Sequence, residues 1–140
     1  MSKVFFDTNV FIYLFEDYEP FSSMVDATWR RMLQRRDQLV TSAMTLGELL
    51  VKPSKLSQAS LVQEYDRVVR SRAQVLNFDV SVAWRYASLR ATHALRNADA
   101  IQLACASHFG VDLFITNDKE LHKLNVPGIG FIAPLDKVPL

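Results

Sequence analysis

The run Lys3-Val4-Phe5-Phe6-Asp7-Thr8-Asn9 decides how the chain is read. Lys3–Phe6 is short, apolar and rich in β-branched and aromatic side chains, which predicts a buried strand. Asp7-Thr8-Asn9 ends it abruptly with side chains suited to a turn into a helix, and Phe11, Ile12, Leu14 and Phe15 then fit a short apolar helix. Near the other end the same grammar returns. Asp112–Ile115 is a continuous apolar run that stops at Thr116-Asn117-Asp118. Two buried strands, each ending in an acid-bearing polar triplet, frame everything between them.

Outward from the first strand, Pro20 restarts the chain, and Phe21, Val25, Trp29, Met32 and Leu33 recur at helical spacing to about Arg36. Gln38–Thr41 reads as a second strand. Ser42-Ala43-Met44-Thr45 opens a helix that carries Glu48 and should stop near Pro53. Leu61, Val62, Tyr65, Val68 and Val69 stripe a helix over Gln58–Arg70. Ala73–Phe78 is a strand, and Asp79 caps a helix from Ser81 to about Leu95. Asn97-Ala98-Asp99 starts an apolar helix, Ala100–Phe109, closed by Gly110. A short helix is expected between Asp118 and Pro127, then a strand around Ile129–Ile132 and a surface strap, Ala133–Leu140. Short apolar strands alternating with helices place the chain in the α/β class, with a mainly parallel central sheet flanked by helices on both faces.

The chain has 140 residues, 49% hydrophobic and 22% charged, with 4 Gly and 5 Pro, which excludes disorder and low-complexity linker. No boundary or repeat interrupts it, so residues 1–140 are read as one domain with its core over about 4–131. The formal net charge is +1, and a polyanionic partner must be held by local basic patches. One cysteine excludes an intramolecular disulfide. Val4–Phe15 imitates a secretory apolar segment. Asp7 and Asn9 interrupt it, however, no cleavage site follows, and it is too short to span a bilayer. The expectation is a soluble, cytoplasmic protein without a membrane partner.

In such sheets ligands sit beyond the carboxyl ends of the strands. Asp7 and Asp118 fall at that edge, and Glu48 and Asp99 lie near the starts of apolar helices, so four carboxylates are candidates for one pocket. Each has a plainer reading. Thr45-Leu46-Gly47-Glu48 matches a capping box, Asp99 and Asp118 gain from a helix dipole, and Asp7 can cap a helix. Clustered carboxylates raise one another's pKa, and a divalent cation removes that penalty. Oxygen-only ligands select hard ions such as Mg²⁺ or Mn²⁺. Such ions serve phosphodiester hydrolysis.

Asp7-Thr8-Asn9, Thr45-x-x-Glu48, Asp99-Ala100-Ile101-Gln102-Leu103-Ala104 and Thr116-Asn117-Asp118, in this order, resemble a PIN domain, in particular the small VapC-type toxins of toxin–antitoxin pairs. The resemblance covers about Val4 to Phe131. It implies a PIN-like fold and a Mg²⁺- or Mn²⁺-dependent ribonuclease acting on RNA. Asp7, Glu48, Asp99 and Asp118 take the catalytic, metal-binding positions. It further implies that Thr116 orients the last acid, that Asn9 supports the first, and that Glu120 is a fifth participant. A homodimer and a cognate antitoxin protein are the implied partners.

Two other functions are weighed. A haloacid-dehalogenase-type phosphatase needs a second Asp two residues after the first, where this chain has Asn9. A non-catalytic RNA- or protein-binding module has no use for a costly negative cluster. Arg30, Arg31, Arg35, Arg36, Arg67, Arg70 and Arg72 are read mainly as solvated helix faces, and Lys3, Lys52 and Lys119 as weak candidates for substrate contact. His93, His108 and His122 share no ligand spacing with Cys105, which is read as core, so zinc is not expected. Trp29, Trp84 and Tyr86 are assigned to the core or a dimer face.

Overall fold

The computed structural model describes residues 1–140. Five parallel strands, β1 (Lys3–Phe6), β2 (Gln38–Ser42), β3 (Gln74–Leu76), β4 (Val111–Ile115) and β5 (Ile129–Ala133), form one sheet in the order β3-β2-β1-β4-β5. Six helices connect them: α1 (Thr8–Phe15), α2 (Phe21–Arg35), α3 (Ala43–Lys55), α4 (Ala59–Arg72), α5 (Val80–Thr92) and α6 (Asn97–Phe109). A 3₁₀ turn, Leu135–Lys137, follows the sheet. No helix is long and apolar enough to cross a membrane.

β1 is central because both of its faces are buried. Val4 and Phe6 enter a core with Phe11, Val25, Met32 and Ile115 on one face of the sheet. Phe5 points the other way, stacks on Phe114 with ring centroids 4.7 Å apart, and joins Val82, Leu89 and Leu103 beneath α5 and α6. Fully burying each such ring contributes roughly 1.5–3 kcal/mol.

The chain first builds outward from β1 to β2 and β3, then crosses to the opposite side of β1 for β4 and β5. Strand order therefore reverses between β1 and β4, the crevice position for ligands in open α/β sheets. Phe6 is in register with Ile115, so Asp7 and Thr116, the next residues on each strand, emerge side by side. The Asp7 amide donates to the Ile115 carbonyl at 3.0 Å.

Several boundaries differ from the sequence reading. No helix forms between Asp118 and Pro127; the segment is a chain of turns. The Asp118 carboxylate accepts from the Glu120 amide at 3.1 Å, a local bond that competes with helix start. α3 continues through Pro53 to Lys55. Beyond the proline, the Leu56 amide reaches the Lys52 carbonyl and the Gln58 amide the Pro53 carbonyl, so the last turn survives. α5 covers Val80–Thr92 and is capped by Asp79 as expected, at 3.1 Å to the Val82 amide. The tail is more than a strap: Leu135 is buried in the core, and its amide donates to Asn117 Oδ1 at 3.0 Å. Trp84 is 80% exposed, so the core assignment fails for it.

Candidate active site

Asp7 is the N-cap of α1 and only 6% exposed. Its Oδ1 accepts from the Thr8 amide at 2.8 Å and from Gln102 Nε2 at 3.1 Å. Its Oδ2 accepts from the Thr116 hydroxyl at 2.7 Å. Burial pushes the Asp7 pKa above the usual carboxylate range, these hydrogen bonds pull it back, and the nearby Asp99 charge raises it again. A charge held against desolvation at a strand end is a stored cost that a cation would relieve.

Thr8 carries the connection to Glu48. Its hydroxyl donates to Glu48 Oε1 at 2.7 Å. The capping-box reading of Glu48 is thereby overturned. Ser42 is the N-cap of α3 and accepts from the Thr45 amide at 3.3 Å, which places Glu48 in the second turn. Freed from capping, Glu48 faces the strand ends instead of its own helix start.

Thr116 carries the connection to Asp118. Besides donating to Asp7, its hydroxyl accepts from the Asp118 amide at 3.1 Å and from Asn9 Nδ2 at 3.2 Å. Asn9 Oδ1 also accepts from the Asn117 amide at 3.3 Å. Thr116 thus orients the carboxylate of the first acid and the backbone of the last. A His122 ring nitrogen lies 2.6 Å from the Thr116 carbonyl, which pins the same loop.

Asp99, in the first turn of α6, stands across from Asp118, and one arginine joins them. Arg96 Nε lies 3.1 Å from Asp99 Oδ2, and Arg96 Nη2 lies 3.2 Å from Asp118 Oδ2. Glu120 lines the same depression as Arg96, Asp99 and Asp118. The four acids therefore belong to one continuous network at the carboxyl edge of the sheet, from Glu48 through Thr8, Asp7 and Thr116 to Asp118, Arg96 and Asp99. No three of them close to ion-ligating distance as they stand. The donor set is hard oxygen throughout, and Asp7 is charged only at a cost, so the residues suit a hard divalent cation.

Ser42 and Arg96 escaped the sequence reading of the site, and Thr8, Thr45 and Gln102 stood in its motifs without a role of their own. Gln102 is the hub of the network and is 2% exposed. Its two Nε2 hydrogens are shared among Asp7 Oδ1, Thr8 Oγ1 at 3.2 Å and Thr45 Oγ1 at 2.5 Å, while its Oε1 accepts from the Ser42 hydroxyl. The available signal was an amide set in the apolar middle of the helix, three residues after Asp99 and so on the same face.

Lys52 lines a depression beside Glu48 and Lys119 directly follows Asp118, whereas Lys3 and several helix arginines meet other partners. Lys3 opens β1 at the opposite end of the sheet, over the Phe109 ring. Arg30, Arg67 and Arg70 pair with Asp26, Glu64 and Asp66 on their own helices, exposed pairs of little energetic weight. Lys52 pairs with Glu16 at 2.6 Å. Cys105 is core: burial, with a smaller push from the Asp79 charge, raises its thiol to about 11.

A search of curated protein sequences returns no match. Among solved structures, the fold is similar to a chain of VapBC2 from Rickettsia felis bound to a promoter DNA fragment, with TM-score 0.76 and 16% identity over 94% of this chain and 98% of that one. DNA-bound VapBC from Salmonella typhimurium gives TM-score 0.68 and 23% identity, covering 96% and 99% of the two chains. A toxin–antitoxin complex from Klebsiella pneumoniae gives 0.64 and 25%, covering 90% and 94%. The sequence profile of the PIN domain matches residues 4–127, the span that carries every acid of the network, and the chain belongs to the PIN-domain family.

Proposed function

We propose that this protein is a Mg²⁺- or Mn²⁺-dependent endoribonuclease and the toxin of a toxin–antitoxin pair. The observation that carries the reading is the buried, desolvated Asp7 tied by shared side chains to Glu48, Asp118 and, through Arg96, to Asp99. The toxin role is supported by the family and by the named complexes, which are VapBC and toxin–antitoxin assemblies. An antitoxin is the proposed protein partner. A homodimer is the proposed assembly, and exposed Val80 and Trp84, one turn apart on α5, offer it an apolar surface.

Asp7, Glu48, Asp99 and Asp118 would hold the ion. Bound there, it supplies Lewis acidity toward a phosphodiester and nucleophilic water at neutral pH. The chain's own contribution is placement. Thr8, Gln102 and Thr116 fix both oxygens of Asp7, Thr8 turns Glu48 toward the edge, and Thr116 sets the turn that presents Asp118.

The direct test is cleavage of an RNA mixture with and without EDTA, beside the Asp7→Asn protein. Cleavage that persists in EDTA sinks the metal-dependent reading. Independently of activity, Mn²⁺ should stabilise the fold: an ion at a hundred times its Kd adds about 2.7 kcal/mol, a melting shift on the order of 10 °C. An unchanged melting temperature at millimolar Mn²⁺ counts against the site.

Thr116→Val removes the donor to Asp7 and the acceptor for Asn9 and Asp118 while keeping the side-chain shape. RNA cleavage should fall about 10- to 100-fold, the usual range for losing a side chain that orients a ligand. Thr116→Ser should retain most of it. Equal rates for the two variants would remove Thr116 from its orienting role.

A further inference from the structure

Arg96 pairs with Asp99 in the first turn of α6, three residues on, and its reach does not stop there. It occupies the N-cap of α6, where its side chain makes no capping bond, and a cation at a helix N-terminus opposes the dipole. The other arginine ion pairs join residues no more than four apart in sequence. The Arg96 guanidinium instead spans from α6 to the loop after β4, reaching Asp118 22 residues away.

The exposures are lopsided. The Arg96 side chain is 80% exposed, against 16% for Asp99 and 20% for Asp118. The arginine thus closes the carboxylate pair from the solvent side, with Nε and Nη2 inward and Nη1 making no hydrogen bond to protein. A divalent ion approaching Asp99 and Asp118 from solvent meets a cation already there. The same depression is lined further along by Lys123 and His93, with the acid Glu120 among them, so a released guanidinium has Lys123 as its cationic neighbour toward a phosphate backbone.

We propose that Arg96 is a resident counter-ion that exchanges partners. Without a divalent ion it bridges Asp99 and Asp118 and competes for them. With the ion bound it is released to grip a phosphate of the RNA strand. A guanidinium suits both roles, since its planar fork matches carboxylate and phosphate alike. The inference rests on the metal-dependent reading above and adds a competitor and a substrate contact to it.

The test is calorimetric titration of Mn²⁺ into EDTA-treated, dialysed protein, comparing wild type with Arg96→Gln and with Arg67→Gln, which removes one positive charge from α4. Circular dichroism confirms that each is folded. Arg96→Gln should bind Mn²⁺ about three- to tenfold tighter than wild type, the scale of losing two partly exposed ion pairs. Arg67→Gln should match wild type. Equal or weaker Mn²⁺ binding by Arg96→Gln, or equal tightening by Arg67→Gln, overturns the competition. The second measurement is binding of a fluorescein-labelled single-stranded 20-nucleotide RNA in Ca²⁺ across a salt series. Arg96→Gln should bind more weakly, with a salt slope shallower by about 0.7, the value for one lost single-strand phosphate contact. An unchanged slope overturns the phosphate role. If wild type itself takes up no Mn²⁺, the metal-dependent reading fails first, and the partner exchange falls with it.

Discussion

Asp7→Asn should yield a folded protein that cleaves RNA at less than about one-hundredth of the wild-type rate. Losing a side chain that merely orients a ligand already costs about 10–100-fold, and Asp7 is assigned as a ligand itself. The stability effect has two opposed parts. Removing a buried charge relieves the desolvation that dominates its raised pKa. The new amide, however, places an N–H against the Thr116 hydroxyl, whose oxygen already accepts from Asn9 and Asp118. The charge part is separable by pH. A carboxyl with a raised folded pKa stabilises the fold fully below its unfolded value of about 3.9, and that contribution is lost as pH rises through the folded pKa. In EDTA, the melting difference between Asp7→Asn and wild type should therefore favour the variant most at neutral pH and shrink on acidification. The donor conflict at Thr116 shifts the whole difference without changing its slope. Mn²⁺ should raise the melting temperature of wild type and leave the variant unmoved. A pH-independent difference, or full activity in Asp7→Asn, would remove Asp7 from the centre of the site.

What was legible in the sequence follows a physical divide. Strands buried on both faces announce themselves as unbroken apolar runs, so β1 appears with the bounds Lys3–Phe6 and β4 is missed by only one residue. The parallel sheet and the placement of Asp7 and Asp118 beyond strand ends follow from those runs. The errors collect where side chains bond to backbone or to one another at long range. Glu48 looked like half of a capping box because Thr45 stands three residues before it. In the fold Ser42 takes the cap, leaving the Thr45 hydroxyl to Gln102 and Glu48 to Thr8. Asp118 looked like a helix start, but its carboxylate takes the Glu120 amide and makes a turn. Arg96 carried no signal because its importance comes from Asp118, a residue brought near only by the crossover from α6 to β4. Local pattern picks out the acids as candidates, and the resemblance adds Thr116 and Asn9 beside them; neither gives Gln102, Ser42 or Arg96 a role.

Gln102→Leu should produce the largest loss of stability among the site substitutions, with a melting temperature lower by on the order of 10 °C. Leucine nearly matches glutamine in volume, so the site stays filled and packing is not the cause. What changes is pairing. Asp7 Oδ1 and the hydroxyls of Thr8, Thr45 and Ser42 all lose a partner, and all four residues are buried. Each orphaned buried group costs about 1–3 kcal/mol. Some of them re-pair: the Thr8 and Thr45 hydroxyls lie 3.2 Å apart, and Thr8 keeps Glu48. About 3–4 kcal/mol remains as the net expectation. The carboxylate is the part that re-pairs least, because the loss of Gln102 leaves only the Thr8 amide on its Oδ1. The cost should thus depend on Asp7 being charged. In the Asp7→Asn background at neutral pH, Gln102→Leu should cost at least ~1 kcal/mol less than in wild type, a coupling within the range measured for residues in direct contact. A melting temperature within a degree or two of wild type for Gln102→Leu, or additive costs in the double variant, would show that the amide merely fills space beside the acid rather than holding it.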